Sequence, residues 1–71
     1  MPTIRLTDTA WLDREVERVR GVLLARLPRG GVDQATLRQG LEEHGMGPYT
    51  NAEAAAIRNA LVSDGTIEII P

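Results

Sequence analysis

The sequence predicts a small α+β domain with three helices and a short antiparallel sheet that pairs an N-terminal strand with a C-terminal strand. Three apolar stripes with helical spacing each follow a capping residue, glycines and prolines separate them, and the first and last segments alternate polar and apolar residues. With 71 residues and no cysteine, the chain is expected to form a single domain over residues 1–71. Phe is absent and there is one Trp and one Tyr, so we expect an aliphatic core.

The first predicted strand leads directly into the longest predicted helix. Residues 3–6 alternate, which places two apolar side chains on one face. Thr7 or Asp8 then caps a helix that runs to about Leu27, because Pro28 and a pair of glycines follow. The core stripe of this helix is Leu12, Val16, Val19, Leu23 and Leu27.

The second predicted helix is shorter. Asp33 is a good N-cap, and the helix is expected to end near His44, because Gly45 has the residue type favoured just beyond a helix. Leu37 and Leu41 have the i, i+4 spacing of an inward face.

The third predicted helix begins at a capping box and precedes the second predicted strand. Thr50 and Glu53 have the spacing of that box, and Gly65 ends the helix. Residues 66–70 are largely β-branched and alternate, so they read as a strand. A single strand leaves backbone groups unpaired, so residues 3–6 are its expected partner. The inward stripe is Ala54, Ile57 and Leu61.

This order of elements from Leu12 to Ile70 resembles the winged helix-turn-helix superfamily. Residues 61–70 are similar to the family's passage from recognition helix to first wing strand, and residues 30–32 match the short strand between the first two helices. The resemblance implies DNA binding through the third helix, with a truncated wing in which the N-terminal strand replaces the second wing strand.

A DNA-binding or transcription-associated function is therefore the first hypothesis. Asn side chains can bond adenine edges and Ala methyls can contact thymine methyls, and small side chains let a helix lie deep in the major groove. Residues 33–64 carry only two Arg against five acids, and the net charge is −2, which opposes phosphate binding. The candidate nucleic-acid contacts are Asn51, Ala55, Arg58, Asn59, Arg38 and Arg29.

A protein-interaction or dimerisation module without nucleic-acid binding is the alternative. Trp and Arg are enriched at interface hot spots. One Trp, two Arg and one Val share the outer face of the first helix: Trp11, Arg14, Arg18 and Val22. A second reading of the same residues is that the two arginines form local ion pairs with acids such as Glu15 and Glu17.

Catalysis is not expected. The chain lacks nucleophile motifs and phosphate loops, and the lone His44 has no spaced partners. The segment around Gly65 is similar to the centre of an EF-hand loop. Of the four aligned ligand positions, only Asp64 offers a side-chain oxygen, and the other three are Ala60, Val62 and Pro71. We therefore predict no metal and no cofactor. With no long apolar run and no signal-like N-terminus, the sequence predicts a cytoplasmic protein with no membrane contact.

Overall fold

The computed structural model describes all residues from Met1 to Pro71. It contains three helices: α1 (Asp8–Arg26), α2 (Gln34–Glu43) and α3 (Asn51–Ser63). These bounds confirm the three predicted helices to within one or two residues.

Each helix begins at the cap that the sequence predicts. The side chains of Thr7, Asp33 and Thr50 accept hydrogen bonds from backbone N–H groups three residues ahead, at 3.1, 2.7 and 3.1 Å. In α3, the Glu53 carboxylate also accepts from the Thr50 backbone N–H at 2.9 Å, which completes the capping box. Such caps contribute about 0.5–2 kcal/mol each, so local chemistry fixes where the helices start.

The core lies between α1 and α3. Val19 and Leu61 are each only 2 % exposed, and they form the centre of a purely aliphatic and thioether cluster. Its other buried members are Val16, Leu23, Met46 and Ile57. The predicted stripes of α1 and α3 are confirmed, whereas Met46, from the loop before α3, was not predicted to be buried.

Helix α2 is held less tightly than the other two helices. None of its residues is buried, and Leu37 and Leu41 are half-buried against the edge of the core. Leu37 and Leu41 therefore face the core as predicted, but their packing is incomplete. An open cleft remains between α2 and the α1–α3 pair.

The predicted sheet is wrong, because the chain contains no strand and is all-α. Residues 3–6 and 66–70 do not pair, and Ile4, Ile69 and Ile70 are 96, 63 and 77 % exposed. Residues 30–32 form a turn and an irregular segment instead of a short strand. The sheet and wing that the winged-helix resemblance implies are therefore both missing.

The distance between the two segments explains this failure. The Arg20 side chain bonds Asp64 and Thr66, which ties the end of α3 to the second half of α1. The N-terminal segment joins α1 at Thr7, thirteen residues before Arg20. At a rise of about 1.5 Å per residue, Thr7 and Arg20 are about 20 Å apart along the helix. Paired strands lie about 5 Å apart, so the two junctions are too far apart to start a sheet.

We expect Leu61→Ala to lower the free energy of unfolding by about 2–5 kcal/mol, because it opens a cavity at the centre of the core. Leu24→Ala is the matched control, since Leu24 is 74 % exposed and should change stability by less than about 0.5 kcal/mol. Urea titration followed by circular dichroism measures both. Equal losses for the two variants would contradict this core.

Candidate binding site

An apolar cleft lies between α2 and the α1–α3 pair, and we call it the α2 cleft. Its volume is about 90 Å³. Most of its lining is hydrophobic: Val19, Leu23, Leu37, Leu41, Met46, Tyr49, Ala54, Ile57, Leu61 and Ile67. The cleft exists because the paired helices complete the core among themselves and leave the apolar side of α2 only partly covered.

Two arginines from different helices line the cleft. Arg38 belongs to α2 and Arg58 to α3, both are exposed, and neither forms a salt bridge within the chain. Glu42 supplies the only carboxylate among the lining residues, and Gln34 is the remaining polar one. Two unpaired guanidinium groups beside an apolar floor give the cleft a positively charged edge.

The structure brings together three of the six residues predicted to contact nucleic acid. Arg38 and Asn51 line a shallow polar hollow that adjoins the α2 cleft, and Arg58 lines the cleft itself. Asn59 is exposed on α3, and Ala55 is half-buried. The sixth, Arg29, lies in the loop between α1 and α2 and lines neither hollow.

A buried carboxylate lies next to the cleft. Glu15 is 4 % exposed, and its Oε1 accepts a hydrogen bond from the Tyr49 hydroxyl at 3.0 Å. Its Oε2 accepts from Arg14 Nε at 3.0 Å and from an Arg18 guanidinium nitrogen at 3.3 Å. A buried charge is costly unless it is paired and hydrogen-bonded, and here three donors meet that requirement.

The pKa values of this cluster follow from its donors. Burial raises the pKa of Glu15, but hydrogen bonds from Arg14 and Tyr49 and the charge of Arg18 together outweigh burial and lower it below 4.5. Burial and the hydrogen bond to Glu15 raise the pKa of Tyr49 to about 12. The carboxylate stays ionised and the phenol stays neutral, which fixes Tyr49 at the wall of the α2 cleft.

The predicted protein-interface residues of α1 are largely engaged within the chain. The Trp11 ring meets Tyr49 edge to face, with centroids 6.1 Å apart, and Val22 packs against the core. Arg14 and Arg18 bind Glu15, so the alternative reading of these two arginines as local ion-pair partners is confirmed for Glu15, whereas Glu17 pairs with Arg20. Their role at an interface stays a prediction.

A second polar cluster, centred on Arg20, was not predicted. The Arg20 guanidinium donates to Asp64, to Glu17 at 2.9 Å and to the Thr66 hydroxyl at 3.3 Å. Hydrogen bonds from Thr66 and Arg20 lower the pKa of Asp64 to about 2. The i, i+3 spacing of Glu17 and Arg20 was a usable signal for one of these contacts, but the Asp64 contact joins distant parts of the chain.

The remaining polar residues add no further constellation. His44 is an exposed C-cap of α2. No group of three or more His, Cys, Asp or Glu side chains is placed to hold a metal ion, and no helix combines the length and apolar character needed to cross a membrane.

Comparison of the chain with protein-family models, with curated proteins and with solved structures finds no match.

We expect Tyr49→Phe to lower the free energy of unfolding by roughly 1.5–3 kcal/mol at neutral pH, because it removes a hydrogen bond to a buried charge. Thermal or urea unfolding measures the loss. Ser63→Ala serves as a control that also removes one hydroxyl, since Ser63 is exposed at the end of α3 and its side chain forms no hydrogen bond within the chain. A loss for Tyr49→Phe no larger than that of the control would contradict the described cluster.

We also expect stability to fall as the pH drops below about 4.5. The pKa of Glu15 is lower in the folded chain than its ordinary value of 4.5, so its stabilisation is complete above that value and is lost as the pH falls through the folded pKa. Glu15→Gln should flatten this part of the profile, with Glu43→Gln, on exposed α2, as the matched control. Urea midpoints between about pH 6 and pH 3 measure the slopes. Identical slopes for the two variants would exclude Glu15 as the source.

Proposed function

We propose that this chain is a binding module, not a catalyst, and that the α2 cleft takes an acidic amphipathic segment of a partner protein. The observation that carries the proposal is an apolar floor flanked by two unpaired arginines, Arg38 and Arg58. An apolar side chain of the partner would enter the cleft, and carboxylates beside it would meet the guanidinium groups. Such complementarity adds specificity and speeds association.

The size of the cleft supports a side-chain anchor over a small-molecule substrate. Ligand pockets usually enclose about 300–1,000 Å³, whereas the α2 cleft encloses about 90 Å³. Because α2 buries none of its residues, a partner that covers the cleft removes apolar surface from water, at about 25 cal/mol per Å². The segment-in-groove mode of recognition uses this kind of surface.

Duplex DNA is the second candidate partner, in line with the first hypothesis from the sequence. The specific observation in its favour is that Arg38, Asn51 and Arg58 lie around neighbouring hollows of the α2–α3 surface. Two observations weigh more heavily against a duplex, whose affinity depends on many phosphate contacts, than against a short segment anchored by apolar burial: Glu42 lies among the same residues, and the net charge is −2. Three of the eight arginines are also bound to carboxylates of the chain: Arg14, Arg18 and Arg20. A cytoplasmic location belongs to the same proposal.

The test uses a synthetic acidic peptide with leucines at helical i, i+3, i+4 and i+7 spacing and glutamates beside them. Trp11 fluorescence reports binding, because its ring contacts Tyr49 in the wall of the cleft. We expect the double variant Arg38→Glu/Arg58→Glu to weaken binding about tenfold or more. The matched control is Arg26→Glu/Arg29→Glu, which reverses two exposed arginines away from the cleft.

Mixed-sequence duplex DNA is titrated in parallel at low and moderate salt. DNA binding with a steep salt dependence, lost in Arg38→Glu/Arg58→Glu and accompanied by no peptide binding, would replace the protein partner by the second candidate. Binding of neither probe, or equal effects of the two double variants, would overturn the assignment of the α2 cleft.

A further inference from the structure

Two terminal segments that alternate polar and apolar residues remain without partners in the folded chain. Residues 3–6 and 68–70 make no backbone hydrogen bond, and Ile4 and Ile69 are 96 and 63 % exposed. Unpaired, β-branched segments of this kind are templates for strand pairing with another chain. The order of their apolar and charged residues also favours one pairing register over the neighbouring ones.

One antiparallel register satisfies both segments at once. With Arg5 opposite Glu68, Ile4 lies opposite Ile69 and Leu6 opposite Ile67. The apolar pairs then share one face, and the opposite charges meet on the other, as cross-strand pairing favours. Shifting by one residue places Arg5 opposite an isoleucine, and shifting by two separates it from Glu68. The register also joins the apolar face to the core, because Ile67 already packs there.

This register cannot form within one copy of the chain. It places Leu6 directly beside Ile67, and these are the residues nearest to the helices. Leu6 lies just before the first turn of α1, whereas Ile67 follows Thr66, whose hydroxyl accepts a hydrogen bond from Arg20. That separation is about 20 Å along α1, whereas opposed residues in a ladder are about 5 Å apart.

We propose that two copies of this chain form a two-fold dimer by reciprocal strand pairing, residues 3–6 of each copy with residues 67–70 of the other. Reciprocal pairing places Thr7 of each copy near Arg20 of the other copy, so the two α1 helices run antiparallel. The two-fold axis then passes between them near the midpoint of that span, at Asp13 and Arg14, and both residues are exposed. Each dimer contains two Arg5–Glu68 pairs and two apolar pairs of each kind. This dimer does not use Arg38 or Arg58, and it shares only Ile67 with the lining of the α2 cleft.

Engineered disulfides test the register, because the chain contains no cysteine. Directly opposed residues have Cβ atoms about 4.5–5.5 Å apart, within reach of a disulfide after small adjustments. We expect the double variant Ile4→Cys/Ile69→Cys to run at twice the 7.8 kDa chain mass on a non-reducing denaturing gel after mild oxidation. The matched control Ile4→Cys/Ile70→Cys has its two thiols on opposite faces and should cross-link at least several-fold less.

Charge exchange tests the same register without cysteines. In sedimentation equilibrium, Arg5→Glu and Glu68→Arg should each raise the dimer dissociation constant on the order of tenfold, and the combined variant should restore it. Arg29→Glu, in an exposed loop far from both segments in sequence, is the control. A monomer at every concentration, a disulfide closed within one chain, or a dimer indifferent to Arg5 and Glu68 would overturn the proposal.

Discussion

The packing of α1 against α3 is the constraint on which the remaining structure depends. Val19 and Leu61 lie at its centre with almost no exposure, and no aromatic ring contributes to the buried cluster. A chain of this size buries only about 60 % of the surface that it exposes when unfolded, so these few aliphatic contacts account for much of its apolar burial. Every polar cluster and cleft described above is positioned relative to this one helix pair.

The two polar clusters on α1 determine which charges remain available at the surface. Glu15 binds Arg14 and Arg18, while Arg20 binds Glu17 and Asp64. Glu15 also accepts a hydrogen bond from Tyr49, before α3, and Arg20 donates to Thr66, after it. Both ends of α3 are therefore attached to α1. Five arginines form no salt bridge within the chain. Two of them, Arg38 and Arg58, line the α2 cleft, and this placement underlies the proposed cleft partner.

Sequence patterns predicted what depends on neighbouring residues and missed what depends on distant ones. The caps at Thr7, Asp33 and Thr50 act within three residues, so the three helices were predictable. The sheet was not, because strand pairing depends on where the helices place their ends. The burial of two residues was missed for the same reason: Met46 looked like part of a turn, and Glu15 is buried where Tyr49, from the loop before α3, donates a hydrogen bond to it.

The loose attachment of α2 has a mechanical consequence. Glycines with positive φ, Gly31 at 82° and Gly45 at 80°, lie on either side of the helix, and no α2 side chain is locked into the interior. Segments with few buried apolar contacts open locally at a free energy below that of global unfolding. Helix α2 is therefore the helix whose displacement costs the least free energy. Under the proposed function, the α2 cleft would widen or narrow to fit anchors of different size, and the entropy lost on closing would weaken each complex.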